Sequence, residues 1–221
     1  MDGKERYKRQ VGLINILDYI DNQVTIIGCG AIGSYAGVSL AKMGLENFEL
    51  WDGDNVEEHN LPNQFFTPKD IGENKAKATL HHMLEFNPEI GEKALYNPFF
   101  FKNVDIHGHI VICSVDTMAA RKTIFEACKI SKNVQLFLDT RMAGLQGQLY
   151  TIDMTKPEEV KFYEESLFTD EQAVQERCTA RAIIFTILGL VSLLCNNIVK
   201  VLREDEYPNF VTIDYSVPQL M

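Results

Sequence analysis

Three observations predict a doubly wound α/β fold with a mostly parallel sheet and a mononucleotide-binding half. Val24-Thr-Ile-Ile-Gly28-Cys-Gly30-Ala-Ile-Gly33 is an apolar run that ends in G-x-G-x-x-G. A helix-length segment separates it from a second apolar run, Phe48-Glu-Leu-Trp-Asp52, which closes on an acid. Beyond it, short apolar runs and helical segments keep alternating, the pattern of parallel strands joined by crossover helices. Gly28 suits the tight turn, Gly30 lets a phosphate approach the backbone, and Gly33 lets helix and strand pack closely. Asp52 stands where a carboxylate accepts hydrogen bonds from ribose hydroxyls.

The elements follow in order. A polar N-terminal arm (1–23), helical in part, precedes a strand at 24–28 and a helix at 32–44, with Gly44 as its C-cap. Residues 47–51 form the second strand. The stretch from Gly53 to Asp70 contains Pro62 and Pro68 and cannot be one helix. A helix over 74–85 stops before Asn87-Pro88. Leu95–Asn97 reads as a short strand and His109–Ser114 as a buried one, followed by a helix at 117–131. Strands are expected at 134–139 and 147–153, and residues 156–178 as an acidic surface helix or loop crossing the sheet. A long helix over 179–202 and a strand at Phe210–Tyr215 end the chain. The expected organisation is one domain over 1–221, with a crossover segment at 155–180 and no appended module after the last strand.

Composition narrows the class. An apolar content of 46% supplies a core, and a net charge of -10 without a basic stripe argues against nucleic acid as a partner. The charged N-terminus lacks the apolar core of a secretory signal, which places the protein in the cytoplasm. Five cysteines with no C-x-x-C pair predict neither a disulfide framework nor a zinc site. Cys29, Cys113, Cys128 and Cys195 fall on strand or helix patterns and are read as core. His59, His81, His82, His107 and His109 lack metal-ligand spacing and are read as surface or loop residues. Ala182–Val199 is nearly long enough to span a bilayer but carries Thr186, Ser192, Asn196 and Asn197. A helix in a core or subunit interface is the better reading, with no membrane partner.

In an open α/β sheet, ligand groups gather at the C-terminal ends of the strands. Asp52, Asp54, Asp116 and Asp139 are placed there, with loops carrying Asn60 and Asn63. Such acidity exceeds what a nicotinamide site requires and suits a triphosphate bridged by Mg²⁺.

Taken together, Arg6-Tyr-Lys-Arg9-Gln10, the glycine loop, Asp52-Gly-Asp54, Asn60-Leu-Pro-Asn63-Gln64, Asp70 to Lys75, Asn87-Pro88, Cys113-Ser-Val-Asp116 and Arg121 resemble the ThiF/MoeB/HesA family. That family belongs to the superfamily of ubiquitin-activating enzymes. The resemblance is collinear from Arg6 to about Arg141 and weaker around Cys178. It implies ATP- and Mg²⁺-dependent adenylation of the C-terminal carboxylate of a ubiquitin-like or sulfur-carrier protein or peptide, with release of pyrophosphate. Carried over, Gly28, Gly30 and Gly33 form the nucleotide loop, Asp52 binds ribose, and Asp54, Asn63 and Gln64 line the nucleotide. Asn60 and Lys75 contact phosphates, Asp116 holds Mg²⁺, and Arg9 reaches the ATP site of a neighbouring subunit, which implies a homodimer.

One position departs from the pattern: the family usually reads N-L-x-R-Q, and here Asn63 stands in place of the arginine. Either Asn63 with Arg6, Arg141 or a partner residue replaces that phosphate clamp, or adenylation is weak or absent. Each other assignment has a plainer reading. Asp116 could be the N-cap of the following helix, Lys75 a solvated helix lysine, and Arg6 and Arg9 surface ion-pair formers. Cys178, in Glu176-Arg-Cys-Thr-Ala-Arg181 before the long helix, either takes the activated acyl group as a thioester or packs at the helix start. Two other functional classes remain open: a non-catalytic partner subunit or binding module, and an NAD-dependent oxidoreductase.

Overall fold

The structure, a computed structural model, describes residues 3–19, 21–102, 104–168 and 183–217. A seven-stranded sheet carries the site. Its strands are β1 (Val24–Ile27), β2 (Phe48–Trp51), β3 (Ala94–Asn97), β4 (Ile110–Cys113), β5 (Leu136–Ala143), β6 (Gln146–Asp153) and β7 (Phe210–Asp214), in spatial order β3-β2-β1-β4-β5-β6-β7. The first five are parallel; β6 and β7 are antiparallel additions.

The helices are α1 (Gly3–Tyr7), α2 (Ala31–Met43), α3 (Lys75–Phe86), α4 (Met118–Ile130), α5 (Pro157–Glu165) and α6 (Ile184–Leu202). They cover both faces because the parallel strands are apolar on both. Ile26 lies level with Leu50 and Ile112, and Ile112 with Leu138; all four pack into one cluster with side chains of α2, α3 and α6. Their sequence neighbours Ile27, Cys113 and Phe137 point the other way, into a second cluster with Ile124 and Phe125 of α4 and Tyr163 of α5. Alternation along β1, β4 and β5 thus feeds two cores at once.

Helix ends match local chemistry. Gly44 closes α2 in the left-handed conformation with φ 108°, its N–H bonded to Leu40 and Ala41 carbonyls. Asn74 caps α3 by accepting the Lys77 N–H, and Asn87 ends it.

The end of the sheet departs from expectation. The strand expected at 134–139 continues to Ala143 and turns within two residues, Gly144 (φ 60°) and Leu145, into β6. Glycine at the first central position is what a II′ hairpin turn requires, and two residues cannot carry the crossover that parallel pairing needs. Of the acidic stretch 156–178, residues Pro157–Glu165 are helical, and residues 169–182 lie outside the described residues. The helix α6 is long and apolar enough to cross a membrane by length and composition. One face of it, Ile187, Leu190, Leu194 and Ile198, is buried in the core against the sheet, and Asn197 donates to Thr151 Oγ1 of β6 at 2.9 Å.

The strand order reverses between β1 and β4: β2 and β3 build outward on one side, β4 and β5 on the other. Such a switch point leaves a crevice at the C-terminal ends of the two strands, where α/β sheets bind ligands.

Candidate active site

Gly28 follows β1 directly, and its φ of +93° lies in the left-handed region. A Cβ there would stand 2.7 Å from the Ser114 carbonyl oxygen, so the ends of β1 and β4 meet only because this residue lacks one. At Gly33 a Cβ would lie 1.8 Å from the Gly28 carbonyl oxygen. Gly30 differs: the nearest atom to its Cβ position is Gln64 Nε2, at 3.9 Å. This space opens at the N-cap of α2, where no side chain caps the helix. Free N–H groups and the positive end of the helix dipole make that opening an anion site.

Two serines that the sequence reading passed over brace the loop. Ser34 Oγ donates to the Gly30 carbonyl at 2.6 Å and accepts the Phe65 N–H at 3.0 Å. Ser114 Oγ donates to the Gly28 carbonyl at 2.6 Å. Neither belongs to the glycine motif, so nothing in the spacing singled them out.

Asp52, buried at the end of β2, accepts the Cys29 N–H at 2.7 Å on one oxygen and the Asp54 N–H at 2.8 Å on the other. Burial pushes its carboxyl above the usual range, and these two N–H bonds offset only part of the effect. The carboxylate is thereby fixed beside the glycine loop. Asn74, also passed over, donates to the backbone carbonyls of Asp52 (2.8 Å) and Asp54 (3.1 Å). Lys75, at the first turn of α3, is buried at 8% exposure, and its Nζ pairs with Asp54 Oδ2 at 3.1 Å. That geometry overturns the solvated-lysine reading: the ammonium is held inside the crevice.

Asn60 is buried in a short 3₁₀ turn, its Oδ1 accepting the Glu57 N–H at 2.9 Å. The side-chain oxygens of Asn63 and Gln64 are buried with no hydrogen-bond partner. Buried amides without partners are costly, so their presence at a crevice points to polar groups that arrive with a ligand. The surrounding loop is held by His82, whose Nε2 lies 2.9 Å from Asp70 Oδ2, with Glu85 at 3.5 Å on the other ring nitrogen. His82 is therefore buried rather than a surface residue, and His109 Nδ1 accepts the Gln23 N–H at 3.3 Å. The sequence reading missed both because His109 meets a residue far away in the chain and His82 is buried by the loop that folds Asp70 back onto α3.

Asp116 follows β4 on the other side of the switch point. The N-cap of α4 is Thr117, which accepts the Ala120 N–H at 3.2 Å, so Asp116 does not cap the helix. Its exposed carboxylate has no hydrogen-bond or ion-pair partner among the described residues.

Asp139 is a correction. It lies inside β5, level with Cys113, at 0% exposure, and its charge is already met. Arg121 Nη1 donates to it and to the Thr140 carbonyl at 2.8 Å, Arg141 Nε donates at 2.8 Å, and Tyr163 Oη at 3.0 Å. Arg121 also donates to the Val115 carbonyl, tying the Asp116 loop to β5. Arg141 is further committed to Ser166 and stacks over Tyr150, its guanidinium 4.4 Å from the ring centroid. Arg6 donates to the buried Asn87 Oδ1 at 3.2 Å. Neither arginine is free to replace the clamp missing at Asn63. Arg9 is exposed on the N-terminal arm, with no bond to the crevice of its own chain among the described residues.

The described cysteines are free, and burial pushes their thiols up: Cys29 and Cys113 well above the ordinary value, Cys195 to about 12. They stay protonated and inert. Cys178 lies outside the described residues.

Among the described residues, no three His, Cys, Asp or Glu side chains come together as a metal site. Magnesium held largely by phosphate oxygens needs only one or two protein carboxylates, and the exposed Asp116 can supply one. The opening at Gly30 fits a phosphate, and the amides of Asn63 and Gln64, whose unpartnered atoms are acceptor oxygens, fit one when rotated to present their N–H groups.

The site and fold have counterparts. The ThiF family model matches residues 9–219. The sulfur carrier protein ThiS adenylyltransferase of Escherichia coli K12 is 31% identical over 198 residues, covering 86% of this chain and 77% of that protein. The ubiquitin-like modifier-activating enzyme 5 of Branchiostoma floridae is 26% identical over 219 residues, covering 89% of this chain, which spans 53% of that enzyme's length. The crystal structure of E. coli MccB with ATP superposes with a TM-score of 0.78 at 18% identity over 97% of this chain and 69% of that one. The crystal structure of PaaA does so at 0.72, with 17% identity, over 97% and 71%. With its switch-point crevice, glycine loop and strand-end carboxylates in place, the chain belongs to the ThiF family, as an enzyme of the adenylyltransferase type.

Proposed function

We propose that the chain uses ATP and Mg²⁺ to adenylate the C-terminal carboxylate of a ubiquitin-like or sulfur-carrier protein, or a peptide, in the cytoplasm. The observation that carries this is the open space at Gly30 on the uncapped start of α2, with Asp52 on one side and Asp116 on the other. In this reading the α2 N–H groups and Gly30 hold phosphate, and Asp52 accepts the ribose hydroxyls. Lys75 exchanges Asp54 for a phosphate oxygen. Asn60 supplies an amide hydrogen from Nδ2 while its Oδ1 keeps the Glu57 N–H, and Asn63 and Gln64 supply theirs once their side-chain oxygen and nitrogen positions are exchanged by rotation. Asp116 holds the magnesium ion, which screens charge on the triphosphate when bound.

Attack of a carboxylate oxygen on the α-phosphorus forms an acyl–phosphate bond and breaks the bond to pyrophosphate. Two anions must approach, so fixed positive groups placed before reaction begins lower the barrier. Lys75 and the α2 dipole do this from within the chain. Arg9, exposed on the arm, does it from the partner of a homodimer, filling the role left by Asn63. Onward transfer of the acyl group to Cys178, in which the deprotonated thiol forms the thioester and AMP leaves, belongs to the same scheme.

The test is ATP–pyrophosphate exchange with small carrier proteins and peptides ending in a free carboxylate. Asp116→Ala is expected to lower exchange by about 10²–10³-fold with the fold intact by circular dichroism. Full exchange in that variant overturns the metal assignment. Measurable ATP binding with no exchange for any candidate favours the other reading that the substitution at Asn63 supports, a binding subunit without catalysis.

A further inference from the structure

We infer that Phe100 is the base-stacking wall of the nucleotide site and sets its tolerance for the base. This rests on the nucleotide-site reading above. Phe100 is 64% exposed, an unusual position for a large aromatic, yet its ring is seated. A Cβ on Gly53 would stand 2.7 Å from two ring atoms of Phe100, so the ring lies against the bare backbone of Gly53. Gly53 is the link between Asp52 and Asp54, the two acids at the end of β2.

The loop presenting Phe100 is anchored. The Asp52 N–H donates to the Asn97 carbonyl at 3.2 Å, tying the end of β2 to the end of β3. The next residue, Phe101, turns inward and meets Trp51 edge to face, with ring centroids 5.5 Å apart. One ring thus fixes the loop while its neighbour keeps a face open to solvent.

Order along the crevice supplies the ligand chemistry. Moving outward from the switch point, the chain offers an anion opening at Gly30, then a buried carboxylate at Asp52 bonded to the glycine loop, then an open aromatic face beside Gly53. Phosphate, sugar and base follow one another in the same order in a nucleotide. An aromatic face stacks any base, because every base has a π-face, so Phe100 contributes affinity for the base without choosing adenine by hydrogen bonds.

The experiment uses the full chain, with Mg²⁺, titrated by calorimetry with ATP, GTP and tripolyphosphate, which has the phosphates without sugar or base. Phe100→Ala is expected to weaken ATP and GTP binding on the order of tenfold and to leave tripolyphosphate binding unchanged. Phe100→Tyr, which keeps the π-face, is expected to restore both. Wild-type ATP binding that Phe100→Ala leaves unchanged overturns the stacking role alone, including the case where the variant loses only affinity for a carrier protein. Wild-type protein that binds neither ATP nor tripolyphosphate overturns the nucleotide-site reading and the stacking role with it.

Discussion

Asp52 shows how one side chain can be both placed and tuned. Two backbone N–H groups, from Cys29 and Asp54, aim its oxygens, and burial raises its carboxyl above the ordinary range. A raised acid begins to take up a proton at a higher pH than a solvated aspartate does. The charged form that accepts ribose hydroxyls is therefore present at neutral pH and fades as the pH falls. ATP affinity is expected to decline as the pH falls from neutrality, beginning at a higher pH than a solvated aspartate would give, measured by titration at each pH. Asp52→Asn, which cannot titrate, is expected to bind weakly with that slope removed; an unchanged slope assigns the pH dependence to another group. Gly30 and Gly33 illustrate the same scale from the opposite side. The motif gave them different jobs, close phosphate approach and close packing, and the atoms around them agree: Gly33 has no room for a Cβ, whereas Gly30 has room that a ligand can use.

At the scale of elements, the buried cluster of Arg121, Asp139, Arg141 and Tyr163 joins α4, β5 and α5. Its acid looked like a site residue in sequence because a strand was expected to end at it. The strand runs on to Ala143, and two guanidinium groups neutralise a carboxylate with no exposure. Removing Arg121 leaves the buried carboxylate to Arg141 and Tyr163 alone and strips the Thr140 and Val115 carbonyls of a charged donor, so Arg121→Met is expected to cost about 3–5 kcal/mol in urea denaturation. Because Arg121 also holds the Val115 carbonyl, the loop bearing Asp116 should loosen with it. A loss below about 1 kcal/mol, as for an exposed pair, would remove the cluster from the stability account. The connection β5–β6 makes a related point. Gly144 is one glycine among many in the chain, and only its place between two pairing strands makes it a hairpin.

For the whole molecule, the crevice is short of cations. Arg6 is engaged with Asn87, Arg141 with Asp139 and Ser166, and position 63 is an asparagine. Lys75 is held within the crevice, and Arg9 is exposed on the N-terminal arm. The proposed homodimer supplies the missing charge in trans. Mixing subunits tests it: Arg9→Ala and Asp116→Ala should each be inactive alone, and co-refolded together they should regain about a quarter of wild-type exchange. One site of each mixed dimer then carries both intact residues. No recovery, with dimers confirmed by light scattering, places Arg9 outside the reaction.

Periodicity and glycine spacing were enough to read out the first βαβ unit, the alternation of strands and helices, the Gly44 cap and the residues flanking the switch point. Those features depend on contacts between near neighbours in the chain, which leave a regular trace. Which acids are free and which are spent, why His82 is buried, how Ser34, Ser114 and Asn74 brace the loop, and where Phe100 rests were settled by folding. Each depends on at least one partner outside its own helical turn or strand pair, brought within hydrogen-bond or van der Waals reach when the loops close on the sheet, and one-dimensional spacing holds no record of such contacts.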